Sequence, residues 1–473
     1  MTRTRLDGLY FLLLGSVIFV LLGAVLENAS DVSMQDFRVV YYPSRCLIQH
    51  CDPYNESEVL RVYRAEEVYR PSDTPNMLQF VTRYIYLPSS FFFTVPFAML
   101  PWGPAHILWM TLTIGSLIFA SLLTWNLGAN HAPILSGVLI GFLLANSEVL
   151  AILCNSAGIA VSLCVVSVWC FLRERFAPAG ILCFAMSLAI KPQDAGLIWL
   201  YFFLAGGVYR RRALQTLLAT VALSLPGVLW VWHASPHWMQ EWHANLLAFS
   251  AHGGLTDPGP ASANGFGLSM MTNLQTVIAF FRDDPRIYNS ATYLVCAPLL
   301  LVWAYATLRF RPSPKRAWLA LAAITALSML PVYHRLNDTK LLLLTIPACA
   351  MLWAEGGLIR WLALAVNTAG FVLTGDIPWT ILLGLIRYLH LSTTGLSGQI
   401  LRATLVLPTP LILLVMGIFY LWVYVARSSS STVAGSSGET LAAPALTGSG
   451  LHLERPLDGM TPSAADVPGR KRD

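Results

Sequence analysis

The chain is predicted to be an all-α, polytopic membrane protein, and three observations predict it. Of 473 residues, 56% are hydrophobic and only 12% charged, whereas about 25% of an average soluble domain is charged. Apolar runs approaching the roughly 17–25 residues that a span requires recur from Leu9 to Val425. The net charge of +5 comes mainly from Arg, Lys being scarce, and clusters of Arg mark the short connectors. In a chain of this composition that pattern reads as membrane orientation and headgroup contact, so membrane lipids are expected partners and nucleic acid is not.

The first apolar run, Leu9 to Leu26, follows Arg3 and Arg5 and has no clear small-residue cleavage site after it. It reads as a retained helix with a cytoplasmic N-terminus, which puts a loop of about 27–103 on the outer face. Further spans read as Ala105–Trp125, Pro133–Leu150, Ala157–Leu172, Ala177–Ile190, Ala195–Val208 and Ala213–Trp232. After a second outer loop, about 233–288, come Ala291–Leu308, Ala317–Val332, Leu341–Trp353, Leu358–Leu373 and Ala403–Val425. That makes a bundle of about 12 transmembrane helices, several of them short or tilted. The parity then places Arg173-Glu174-Arg175, Arg210-Arg211-Arg212, the Arg309–Arg316 connector and Arg427 on the inner side, together with the N-terminus.

Two apolar stretches, Tyr86–Pro101 and Ile377–Leu391, would break that parity and read as interfacial or re-entrant elements. One of them could instead be a true span with a neighbour that is not. Residues 1–426 form one transmembrane domain. The Ser-, Gly-, Ala- and Pro-rich stretch 427–473 reads as a disordered cytoplasmic tail. No internal repeat stands out. Six of the eight Cys lie in apolar segments as small hydrophobes, while Cys46 and Cys51 share the first outer loop and could pair in an oxidising compartment.

On this threading the strongly polar motifs emerge together on the outer face. Asp36 follows the first helix, among aromatics and an Arg, where a carboxylate can act as general base on a surface substrate; a solvated carboxylate or a helix cap is the alternative. Lys191-Pro192-Gln193-Asp194 tips a hairpin between two apolar segments. A charge there is costly, so Lys191 holds a phosphate, pairs locally with Asp194 or snorkels to headgroups. Tyr333-His334-Arg335-Leu336-Asn337-Asp338 and Lys340 add cationic donors suited to a phosphate, and His334 adds a proton carrier; an internal Arg–Asp pair in a solvated loop is the other reading. Glu148 and Asn155 flank another outward connection. The aromatic start of the second loop, Trp232 to His243, suits sugar stacking or interfacial anchoring and has no metal-ligand spacing. No nucleotide-binding pattern appears, and neither metal nor cofactor is expected.

These motifs resemble the GT-C superfamily of integral-membrane glycosyltransferases, most closely glycosyltransferase family 87. The likeness is carried by Asp36-Phe37 followed by Tyr41-Tyr42, by Asp52-Pro53-Tyr54, and by Tyr84-x-Tyr86-x-Pro88 running on to Pro96-Phe97-Ala98-Met99-Leu100-Pro101. It continues in Ala179-Gly180 to Ala189-Ile190-Lys191-Pro192 and in the polar Tyr333-His334-Arg335 to Asp338. Where that family tends to show Gly-Gln or Gly-Asn before the fourth span, this chain has Cys154-Asn155-Ser156.

The resemblance implies a GT-C-like fold and transfer of a hexose, expected to be mannose, from a polyprenyl-phosphate donor to a lipid or glycan acceptor hydroxyl. Transfer would take place on the extracytoplasmic face, expected to be that of a bacterial inner membrane. It implies Asp36 as the catalytic base and Lys191, Arg335 and Lys340 around the donor phosphate. Tyr41, Tyr54, Tyr86, Asn155, Asp194, His334 and Asp338 are then candidate substrate contacts. Two other readings use the same charges: a transporter or flippase of a lipid-linked or small polar substrate, with the charges lining a pathway, and a polymerase or ligase joining lipid-linked glycans at the same outward cleft. The first would favour polar residues within opposed helices and repeat symmetry.

Overall fold

The computed structural model describes residues 2–436 except 31–32, 67–74, 263–269, 311, 389–399 and 401–403. The described residues contain no strand, only one isolated antiparallel bridge between Met271 and Arg335. The chain clusters into a large unit, Met1–Ser429, and a terminal unit, Ser430–Asp473. Beyond residue 436 the expected cytoplasmic tail lies outside the described residues.

The long first helix, α1 (Arg3–Ala29), is followed by α2 (Gln35–Ile48), α3 (Glu56–Ala65), α4 (Pro75–Thr82) and α5 (Phe91–Ala98), a compact group in the first loop. Next come α6 (Trp102–Gly128), α7 (Pro133–Leu144), the short α8 (Glu148–Leu153), α9 (Ser156–Leu172), α10 (Ala177–Ile190), α11 (Pro192–Ala205) and α12 (Gly207–Ala234). The second loop holds α13 (Trp238–Ser250) and α14 (Gln275–Phe281). The bundle closes with α15 (Pro285–Arg309), α16 (Pro314–Ser328), α17 (Ile346–Glu355), α18 (Gly357–Leu373), α19 (Asp376–Tyr388) and α20 (Pro408–Ser436).

Among the described residues five helices are long and apolar enough to cross a membrane: α1, α6, α12, α15 and α20 up to Arg427. The pair α18–α19, bent by 70°, makes a sixth if counted as one broken span. The remaining segments expected as spans are shorter, and the reasons are local. Gly206 and Gly207 (φ +78° and +54°) end α11 and restart the chain as α12, so Val208 belongs to the later helix. The run Pro133–Leu150 breaks between Leu144 and Glu148. A 3-10 helix, Asp338–Thr345, replaces the first half of Leu341–Trp353. The stretch Tyr86–Pro101 folds as a 3-10 turn, Pro88–Ser90, and the eight-residue α5, too short to cross.

Packing between α1 and α7 runs backbone to backbone. A Cβ on Gly15 would lie 2.2 Å from the Gly141 carbonyl oxygen, and one on Gly137 would lie 1.9 Å from that of Gly8. Small residues four apart on α7 (Gly137, Gly141) and seven apart on α1 (Gly8, Gly15) permit this approach where water supplies no driving force between apolar helices.

The basic connectors are tied down by local polar contacts. Arg5 donates to Asn130 at 2.9 Å and Arg173 to Asn126 at 3.1 Å, while Arg212 donates to the Phe171 carbonyl at 2.9 Å. Lys315 and Arg427 both pair with Glu355.

Candidate active site

A cavity of about 380 Å³ opens where the first loop, the α10–α11 junction and the Tyr333–Asp338 segment converge. Asp36, Tyr86, Asn155, Lys191, Arg335 and Asp338 supply its polar lining; Phe80, Ile85, Trp242, Leu246 and Phe249 supply apolar wall. That size falls in the range of small-ligand pockets.

Asp36 lies in the first turn of α2, just after Met34, which adopts a left-handed conformation (φ 59°) and donates its N–H to the Ile152 carbonyl at 2.7 Å. The rest of α2 is fixed by burial. Tyr41 donates to the Leu100 carbonyl at 2.9 Å, Arg45 donates to Ala98 at 2.9 Å, and Ser44 shares a 2.7 Å hydrogen bond with Thr94. Cys46 and Cys51 are joined by a disulfide at its far end. Asp36 is 7% exposed, and its Oδ2 accepts a 2.7 Å hydrogen bond from Asn155. Among the described residues its Oδ1 takes no hydrogen bond. Burial raises the carboxyl above its ordinary range against the opposing pull of Arg335, Asn155 and Lys191.

Lys191 closes α10, and Pro192 opens α11 at the position where a missing N–H costs nothing. The ammonium bonds the Asp338 carboxylate and stands 3.7 Å from Asp194 Oδ2. Burial alone would lower it, but the two carboxylates outweigh burial and hold it protonated. Asp338 Oδ2 also accepts the Arg335 backbone N–H at 2.7 Å. Its carboxyl sits below the usual range, because Lys191 and His334 overcome the penalty of burial.

His334 is buried behind this pair. Its Nδ1 lies 3.1 Å from the Val332 carbonyl, which can only accept, so that nitrogen carries a proton. Nε2 lies 3.4 Å from Asp194 Oδ1, an ion-pair contact longer than a well-formed hydrogen bond. Against burial, Asp194 and Asp338 raise the imidazole above its ordinary value.

Arg335 is the cation with spare donors. Its Nε bonds the Tyr333 hydroxyl, and its guanidinium lies over Phe80 (5.3 Å) and Tyr333 (5.8 Å). One terminal nitrogen is buried without a hydrogen-bond partner. The segment is held by backbone pairing: Thr272 N–H to the His334 carbonyl at 3.0 Å and Leu336 N–H to Met270 at 2.9 Å.

The residues predicted from sequence divide into two groups. Asp36, Tyr86, Asn155, Lys191, Arg335 and Asp338 reach the cavity, with Asp194 and His334 directly behind Lys191. Tyr41, Tyr54 and Lys340 do not line it. Tyr41 spends its hydroxyl on Leu100, and Tyr54 spends its own on the Tyr86 carbonyl at 2.8 Å. Lys340 is two residues beyond Asp338 on a 3-10 helix, so the two side chains leave the axis about 120° apart. It donates to the Asn146 carbonyl at 3.3 Å, in the field of Asp376 and Glu148.

The α13 wall was not assigned to the site from sequence. Trp242 donates to the Ile85 carbonyl at 3.0 Å, and Asn245 donates to the Tyr54 and Tyr84 carbonyls at 2.9 and 3.2 Å. These bonds dock α13 on the Tyr84–Leu87 strip and set Leu246 and Phe249 on the cavity. The Trp-rich start of the second loop was the available signal; the position of Asn245 carried none.

Comparison with curated proteins yields no match, and neither does comparison with solved structures. The sequence model of glycosyltransferase family 87 matches residues 84–332. The match takes in Tyr86, Asn155, Lys191 and Asp194 from the site; Asp36 and the Tyr333–Asp338 segment lie on either side of it. Since it covers more than half of the 473 residues, the chain belongs to glycosyltransferase family 87, and it is a glycosyltransferase with membrane helices.

Proposed function

We propose that the chain transfers a hexose, mannose in the first instance, from a polyprenyl-phosphate donor to an acceptor hydroxyl on the extracytoplasmic face of a bacterial inner membrane. The observation carrying this reading is a single cavity lined by a buried carboxylate with one free oxygen, Asp36, and by Arg335, whose guanidinium keeps one terminal nitrogen without a hydrogen-bond partner. Asp36 accepts the proton of the acceptor hydroxyl, whose oxygen bonds to the anomeric carbon as the bond from that carbon to the phosphate oxygen breaks. The bonding pair leaves on the polyprenyl phosphate, and its charge is met by Arg335, with Lys191 adding field from within its carboxylate pair. A single displacement inverts the anomeric carbon. The apolar wall of Phe80, Leu246 and Phe249 suits the first units of a polyprenyl chain.

The test incubates purified protein in detergent with labelled polyprenyl-phosphate mannose and a membrane extract as acceptor source, beside GDP-mannose. Label transferred from the lipid-linked donor alone, and lost in Asp36→Asn, supports the reading. Transfer from the nucleotide sugar alone, or full transfer by Asp36→Asn, contradicts it.

A further inference from the structure

Asn155 holds two posts at once. As N-cap of α9 its Oδ1 accepts the Ala157 N–H at 2.8 Å. An amide oxygen only accepts, so this bond fixes which way the amide faces and leaves Nδ2 as the donor to Asp36 Oδ2 at 2.7 Å. The residue before it, Cys154, is held in a left-handed conformation (φ 50°), and its carbonyl accepts the Trp109 indole N–H at 2.9 Å. The same indole stacks on Phe37, with ring centroids 4.8 Å apart and planes 27° apart. Phe37 follows Asp36 and Cys154 precedes Asn155, so one buried tryptophan of α6 sets the spacing of both backbones. Ser156, next in line, reaches the Tyr86 hydroxyl at 3.4 Å.

We propose that Asn155 is a positioning residue for glycosyl transfer: it engages one oxygen of Asp36 and, with Trp109, turns the other oxygen toward the acceptor hydroxyl. The proposal rests on Asp36 being the base. An amide donor stabilises the ionised carboxylate, the form that can take a proton. The other charged or titratable groups acting on Asp36 are Tyr333, Arg335 and Asp338 from the late segment, Lys191 from the end of α10, Tyr86 from the first loop, and Cys154 ahead of α9. None of them is oriented by a helix cap as Asn155 is.

Asn155→Ser separates the two posts. Serine is as good an N-cap as asparagine but cannot present an amide to Asp36. With full-length protein in detergent and labelled polyprenyl-phosphate mannose, the variant is expected to melt like wild type and keep its donor KM. Its kcat should fall about tenfold or more, and the acid limb of kcat/KM should move to higher pH. A second readout needs no turnover: an infrared pH titration of the buried carboxyl band that is absent in Asp36→Asn should show a higher midpoint in Asn155→Ser. Wild-type kcat, limb and midpoint in Asn155→Ser, with Asp36→Asn inactive, would overturn the positioning role alone and leave Asn155 a helix cap. Full transfer by Asp36→Asn would instead overturn the reading of the base, and this proposal with it. If the serine variant fails to fold, Asn155→Asp, also a strong cap, takes its place. A second carboxyl beside Asp36 should raise the limb further, and an unmoved limb there also overturns the proposal.

Discussion

Two buried clusters of charge diverge from a single 3-10 helix. Asp338 joins Lys191, Asp194, His334 and Arg335 beside the cavity, whereas Lys340, two residues on, joins Glu148 and Asp376 away from it. All these groups except Arg335 are more than nine-tenths buried, and both clusters set cations among carboxylates. Both leave buried atoms without hydrogen bonds, Asp194 and His334 Nε2 in the first and Glu148 and one Asp376 oxygen in the second. Only the first reaches the cavity, through Lys191, Asp338 and an Arg335 with one unpartnered nitrogen, and it borders the free Asp36 oxygen there. Density of charge in an apolar sequence therefore marks buried networks in general, and the direction a side chain leaves its helix decides which network can meet a substrate.

The largest expected effect sharpens this contrast. Asp36→Asn should cost about 10²–10⁴-fold in kcat, as removal of a general base does, with the protein inserted and folded. Initial rates of label transfer check it. Arg335→Ala follows at about 10²-fold, the scale of losing one donor to a developing oxyanion, and Arg335→Lys should recover only part of it because the planar fork is lost. Lys340→Met should break the other way. Leaving buried carboxylates uncompensated costs about 3–5 kcal/mol of stability, seen as a lower melting temperature, while the rate per folded molecule stays near wild type. Glu148→Gln should be nearly neutral in both, since neither carboxylate oxygen has a hydrogen bond to lose.

The pH dependence has a definite sign. Asp36 must be ionised to accept a proton, and burial raises its carboxyl, so activity should fall toward acid from a pH above the ordinary carboxylate range. A pH series of kcat/KM reads it directly.

Much of the site was legible because charge is expensive in apolar sequence. Asp36, Lys191 and the Tyr333–Asp338 segment are far apart in the chain, yet counting spans and basic connectors sent them to one face, and they share one cavity. Family membership favours sugar transfer over the transport reading of the same charges. What sequence could not resolve was rotation and length. Lys340 and Asp338 look equivalent in a string of letters, and only the 3-10 geometry turns them apart. Tyr41 and Tyr54 looked like cleft residues until the Leu100 and Tyr86 carbonyls claimed their hydroxyls. The span count suffered similarly: Pro133–Leu150 is broken by a turn and Leu341–Trp353 begins as a 3-10 helix, neither of which hydropathy alone registers.

The most direct measurement is the KM for labelled polyprenyl-phosphate mannose in Arg335→Ala set against Lys340→Met, each normalised to folded protein. The donor KM should rise about tenfold or more in the first and stay unchanged in the second. An unchanged KM in Arg335→Ala with a raised one in Lys340→Met would contradict it and move the donor phosphate to the other cluster.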